Sequence, residues 1–120
     1  MAENKFIEHN GIIIETLENN EVRVSVELQE TGENFYGMMH GGLIFSLADT
    51  TAGVFTRSLG INSVTLSANI NYLKPITAGK AYGVPTLEHR GRTTVVVRVS
   101  VFNERHEQAA VGLFTMFITS

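Results

Sequence analysis

The chain has 120 residues, no cysteine and a formal net charge of −3. That is the size of one domain, 1–120, with a core large enough to need no staple. The missing cysteines exclude disulfides, thiolate metal sites and a cysteine nucleophile, and the acidic balance argues against a nucleic-acid binder.

From the N-terminus, Met1 to Phe6 lacks the basic and then apolar pattern of a signal peptide. No run reaches the roughly 18 apolar residues of a membrane span, so a cytoplasmic protein without membrane partners is expected. Residues 3–9 predict a short helical turn. Ile12-Ile13-Ile14, within Gly11 to Leu17, predicts a strand, and Asn19-Asn20 a turn. Val22, Val24, Val26 and Leu28 alternate with Arg23, Ser25, Glu27 and Gln29, the pattern of a half-buried strand and the second arm of a hairpin.

A glycine-bearing loop, Thr31 to Met39, leads to His40-Gly41-Gly42. From Gly42 to Leu59 the period becomes helical, with Leu43, Leu47 and Val54 near one line and Ile44, Ala48, Phe55 and Leu59 beside it. Arg57 in the last turn and Gly60 after it mark the stop. Strands follow. Val64, Leu66, Ala68, Ile70 and Tyr72 alternate with Thr65, Ser67, Asn69 and Asn71, up to Lys74-Pro75. Residues 80–88 carry Pro85 and predict an edge or bulged strand. Arg90-Gly91-Arg92 is a turn, Thr94 to Phe102 is strongly β-branched, and Ala109 to Thr119 is a last strand. Two strands, one helix and about four more strands make an α+β chain whose sheet curls around the helix.

The chemistry concentrates on that helix. Glycines at its start bare N–H groups that have no intrahelical partner and carry the positive end of the helix dipole, a setting that can bind an oxyanion. Asp49 lies with Ser46, Thr50, Gly53 and Arg57 on the less apolar face. A solvated face usually carries Lys and Glu; these small residues suit the approach of another segment. Gly41 and Asp49 are eight residues apart, about 12 Å of helix axis. A two-fold axis that sets the partner's helix antiparallel would bring them together, so if both residues serve one reaction a homodimer is the expected minimal unit.

The run Asn34, His40-Gly41-Gly42, Asp49 resembles the signature of the PaaI-like hotdog thioesterases. So do Val64-Thr65 through Asn71-Tyr72-Leu73-Lys74-Pro75, and Arg90-Gly91-Arg92-Thr93 before a valine-rich strand. The resemblance spans almost the whole chain. It implies the hotdog fold, an antiparallel sheet of about five to six strands wrapped around one long central helix, and hydrolysis of an acyl-CoA. It implies that the Gly41 amide polarises the thioester carbonyl and that Asp49 of the partner subunit acts as general base or nucleophile. Asn34 and His40 would orient carbonyl or water, and Thr65 would set a hydroxyl beside the carboxylate, with Ser67 competing for that place on what spacing makes the same strand face. Gly42 and Arg90-Gly91-Arg92-Thr93 would meet coenzyme A, the arginines through phosphate oxygens. Dimers of this kind often pair into a homotetramer. Coenzyme A belongs to the substrate, so no cofactor is implied, and His9, His40, His89 and His106 lack ligand spacing for a metal.

An acyl pocket is expected between subunits, lined by apolar residues near the helix, with Phe35, Tyr36, Met38, Phe45 and Phe55 as candidates. Three other readings compete: a hotdog dehydratase or hydratase, which would pair a histidine with a carboxylate; a non-catalytic acyl-CoA sensor; and an unrelated β-rich binder, which leaves Asp49 without a role.

Overall fold

A computed structural model describes residues 4–16, 19 and 21–120. Residue 3 of the expected first turn, Leu17 and Asn20 lie outside the described residues. The elements are α1 (Lys5–His9), β1 (Ile12–Thr16), β2 (Val22–Glu27), α2 (Gly41–Ser58), β3 (Ser63–Tyr72), β4 (Lys80–Arg90), β5 (Thr94–Phe102) and β6 (Gln108–Ile118). The strands form one six-stranded sheet in the order β1-β2-β4-β5-β6-β3, with every neighbouring pair antiparallel. The sheet wraps around α2, as the hotdog resemblance implies. Among the described residues no helix is long and apolar enough to cross a membrane.

The core forms where the strand period of two meets one face of the helix. Val95, Val97, Val99 and Val101 of β5 are all fully buried, while the residues between them turn outward. Each valine contributes on the order of 1.5–2 kcal/mol by leaving water. They pack with Phe114 and Met116 of β6, Val24 and Val26 of β2, and Ile44, Leu47, Ala48 and Ala52 of α2. Thr51 and Thr56 are also buried on the helix. Both satisfy their hydroxyls on the backbone one turn earlier, on Leu47 O and Gly53 O, which lets a polar residue face the sheet.

The helix ends as its sequence dictates. Gly60 adopts φ +80, its N–H bonds Arg57 O and the Ile61 N–H reaches back to Thr56 O. This is a Schellman closure with an apolar residue, Ile61, tucked under it.

One strand departs from expectation. β4 is not an edge strand: it lies between β2 and β5. Its pairing with β2 stops at Gly83, however, so Pro85 sits in the half that β2 does not reach and bonds only toward β5. Its missing N–H therefore costs no ladder bond on that side. The bulge expected here is present between Leu87 and His89. The sheet's edges are β1 and β3, and β3 is exposed along most of its length. Only β6 pairs with it, so its other side is left open.

Candidate active site

His40 caps α2 with its own side chain. The Gly42 N–H donates to His40 Nδ1 at 2.8 Å. A Cβ on Gly42 would sit 3.0 Å from that nitrogen, so the cap needs a very small residue there. A neutral imidazole accepting at Nδ1 carries its proton on Nε2, leaving an outward donor. The cap also divides the glycine pair. The Gly42 amide is already satisfied, whereas the Gly41 N–H has no acceptor among the described residues. The Gly41 carbonyl accepts from the Tyr72 hydroxyl at 2.9 Å, and burial raises that phenol above its ordinary range. Tyr72 thus ties the end of β3 to the first turn of α2.

Two turns along the helix, Asp49 Oδ1 accepts a 2.5 Å hydrogen bond from the Thr65 hydroxyl. Oδ2 accepts none among the described residues. Met116 Sδ lies 3.7 Å from the same hydroxyl. The expectation that Thr65 and Ser67 share a face is corrected here. A bulge at Leu66 lets Thr65 pair with Met116 and Ser67 with Thr115. Paired residues share a side, and Met116 is core while its neighbour Thr115 faces outward. Thr65 therefore points to α2 and Ser67 away from it. An inserted residue leaves no mark in the alternation, so spacing alone could not separate them.

One chain divides these groups between two cavities. The larger, about 840 Å³, contains Asp49 and Thr65 and runs beside α2 toward α1, bounded by Ile7, Ile14, Val54 and Ile61. The smaller, about 320 Å³, contains Asn34, Met38, Gly41 and Tyr72. Within one chain none of the five candidates for the acyl lining borders the cavity that holds Asp49. Phe45 and Phe55 pack against the core, Phe45 with its ring 5.6 Å from that of Phe114. Phe35 and Tyr36 stand in the open, at 104% and 82% exposure, and Met38 lines the other cavity. Asn4, the N-cap of α1, and Ile7 within that helix line the larger cavity instead, a role that so short and weakly patterned a segment could not announce.

Asn34 organises the loop ahead of α2. Its Oδ1 accepts from the N–H groups of Tyr36 and Met38, leaving its amide NH2 free to donate. Arg90, Gly91, Arg92 and Thr93 form the β4–β5 turn, closed by Gly91 N–H to Thr94 O at 2.8 Å. Both arginines are exposed and neither forms an ion pair among the described residues. Arg90, Val95, Met116 and Thr65 form one row across the sheet, so the turn lies three strand spacings, about 14 Å, from Thr65. Among the described residues no cluster of His, Asp and Glu could hold a metal.

Comparison with known proteins adds the following. The sequence pattern of the Thioesterase superfamily matches residues 36–110. The chain is 30% identical over 105 residues to the acyl-coenzyme A thioesterase PaaI of Escherichia coli K12, covering 87% of this chain and 74% of that one. It is 38% identical to a Streptococcus mutans protein solved bound to acetyl CoA, with a TM-score of 0.83, covering 91% of this chain and 89% of that one. A hypothetical thioesterase of Streptococcus pneumoniae TIGR4, 34% identical with a TM-score of 0.83 over 91% of both chains, was solved as an aspartate-to-alanine mutant and again as a threonine-to-alanine mutant. The two substituted residues are 16 apart, the separation of Asp49 and Thr65 here.

Proposed function

The chain belongs to the thioesterase superfamily, and from that premise we propose that it hydrolyses acyl-CoA thioesters at a site assembled from two copies of itself. The observation that carries this reading is the split arrangement. An oriented carboxylate lies in one cavity and a free N–H at a helix N-terminus in the other, with eight residues of helix between them. The PaaI relationship and the aspartate–threonine spacing shared with the pneumococcal thioesterase support the same roles.

Thr65 donates to Oδ1 and fixes the carboxylate, leaving Oδ2 to take a proton from water. The resulting hydroxide adds to the thioester carbonyl, and the new oxyanion rests on the Gly41 N–H of the partner subunit, at the positive end of its helix. Collapse of the tetrahedral intermediate breaks the C–S bond. The CoA thiolate leaves with the proton that Asp49 held, and the free acid remains. His40 Nε2–H and the Asn34 amide steer carbonyl or water, and Arg90 and Arg92 reach the phosphates of coenzyme A. The scheme calls on no metal or cofactor.

Surface chemistry supports the pairing. β3 offers a ten-residue edge with exposed Val64, Leu66 and Tyr72, and Phe35 and Tyr36 stand out from the loop beside Gly41. A second copy adding its own β3 would cover both, and an uncovered edge of this kind is an aggregation site. Val64 pairs with Phe117 on the outward face of the sheet, both exposed, and this apolar ground suits dimers joining as a tetramer. The cysteine-free sequence and the CoA-linked substrate suit a cytoplasmic location.

Steady-state thiol release from phenylacetyl-, benzoyl- and C4 to C16 acyl-CoA tests the reading. Wild type should cleave at least one thioester, and Asp49→Ala should lose about 10²-fold or more while staying folded. Binding without cleavage would replace the enzyme with an acyl-CoA sensor.

A further inference from the structure

The larger cavity has a direction. It begins at Asp49 and Thr65 and continues along α2 to Arg57, with Asn62 and Thr119 at the far end. Asp49, Gly53 and Arg57 stand at i, i+4 and i+8, so they stack on one face of the helix. Between the two charged residues Gly53 offers no side chain. A Cβ there would meet nothing within 4 Å, so the packing of this chain does not demand glycine at that place. Its effect is to keep the path from Asp49 to Arg57 open.

Among the described residues, Asp49 and Arg57 are the only charged ones lining this cavity. Arg57 is exposed in the single chain and has no acidic partner among the described residues. A cavity made only for a hydrocarbon chain would end on apolar side chains. This one is apolar along its middle, at Ile14, Val54 and Ile61, and ends on a guanidinium among amides and hydroxyls. The helical rise separates the two residues by about 12 Å. The arginine stem leans back toward the N-terminus of the helix and shortens that gap.

We propose that this cavity receives the acyl chain and that Arg57 binds a carboxylate at its distal end, so that the preferred substrates are CoA thioesters of short dicarboxylic acids. The proposal rests on the thioesterase reading above and adds to it a substrate class and a specificity residue. The guanidinium fork matches a carboxylate in two parallel hydrogen bonds. A distal methyl group in the same place would leave the guanidinium partly desolvated and unpaired, which disfavours plain fatty acyl chains.

The test compares adipyl-CoA with hexanoyl-CoA, of equal chain length, in wild type, Arg57→Gln and Arg57→Glu. The readout is the ratio of kcat/KM for the two substrates, in which any general damage to the protein cancels. Wild type should favour adipyl-CoA at least about tenfold, and Arg57→Gln should lower the ratio by about 10- to 100-fold. Arg57→Glu should invert it. Gly53→Leu, which fills the path, should raise KM for both. A wild type that prefers hexanoyl-CoA overturns the proposal and leaves the thioesterase intact. So does cleavage of aryl-CoA alone. A preference that survives Arg57→Gln removes Arg57 from the role, and a KM that rises equally for every thioester transfers Arg57 to the coenzyme A moiety. Failure to cleave any thioester in either panel overturns the parent reading and this one with it.

Discussion

Gly41 occupies the first position of α2, after a cap residue with φ −61 and ψ 136. Proline is favoured at that position, and the preceding backbone already has the extended form that proline requires. Gly41→Pro therefore removes one N–H while leaving the helix start in place. A loss of about 10²- to 10³-fold in kcat with little change in Tm is expected, the size of effect seen when one oxyanion donor is deleted. Thr65→Val should lower kcat roughly 10- to 100-fold by freeing the carboxylate, whereas Ser67→Ala should stay within about twofold of wild type. Stopped-time thiol assays beside thermal melts separate these outcomes, and equal losses at Thr65 and Ser67 would refute the facing argument. The sequence already carried the His-Gly-Gly start and the helical aspartate, because local spacing specifies both. It did not carry the choice between Thr65 and Ser67, which depends on a bulge, or the Tyr72 bond to Gly41, which joins residues 31 apart.

At the scale of elements, the closest crossing joins helix and sheet at Thr51 and Gly83. A Cβ on Gly83 would lie 2.1 Å from Thr51 Oγ1, so Gly83→Ala should destabilise by about 1–3 kcal/mol. Thr51→Ala should recover part of that loss in the double mutant, giving a coupling energy that a denaturant cycle measures. Additive effects would mean the contact is not the cause. β1 is held to β2 partly by Glu15, whose carboxylate accepts from Arg23 at 2.7 Å and from Ser25 at 3.3 Å. The bond from Arg23 leads the effects that lower its pKa below the ordinary 4.5. A depressed acid stabilises the fold above its unfolded pKa, and the contribution disappears as pH falls through the lower folded value. Glu15→Gln should flatten the acid limb of stability against pH in that window. Part of the slope should persist, because Glu107 is lowered in the same sense, chiefly by its bond to Lys74. An unaltered acid limb in pH-dependent melts would count against this. Element order and helix length were legible from periodicity. The place of β4 in the sheet was not, because Pro85 signals a missing ladder bond without saying that β2 simply stops short.

For the molecule as a whole, the proposed site needs two copies because one copy sets its groups in two cavities. Asp49 with Thr65 borders one cavity, and Gly41 with Asn34 and Tyr72 borders the other. The eight-residue separation on one helix was visible in sequence, and it calls for a second copy if both residues serve one reaction. The surfaces that would meet were not visible, since a strand reads alike in a free edge and in the middle of a sheet. Their exposure emerged only once β3 was found at the end of the strand order. Charge placed at Leu66 should weaken association and reduce activity together, with sedimentation and thiol release following the same concentration dependence.

The most direct measurement is complementation between Asp49→Ala and Gly41→Pro. Each variant alone should be nearly inactive, and after subunit exchange half of the dimers should be mixed. A mixed dimer restores one of its two sites, so activity should return to roughly a quarter of wild type. Mixed dimers that form, as shown by differently tagged subunits, and recover no activity would contradict a site shared between copies.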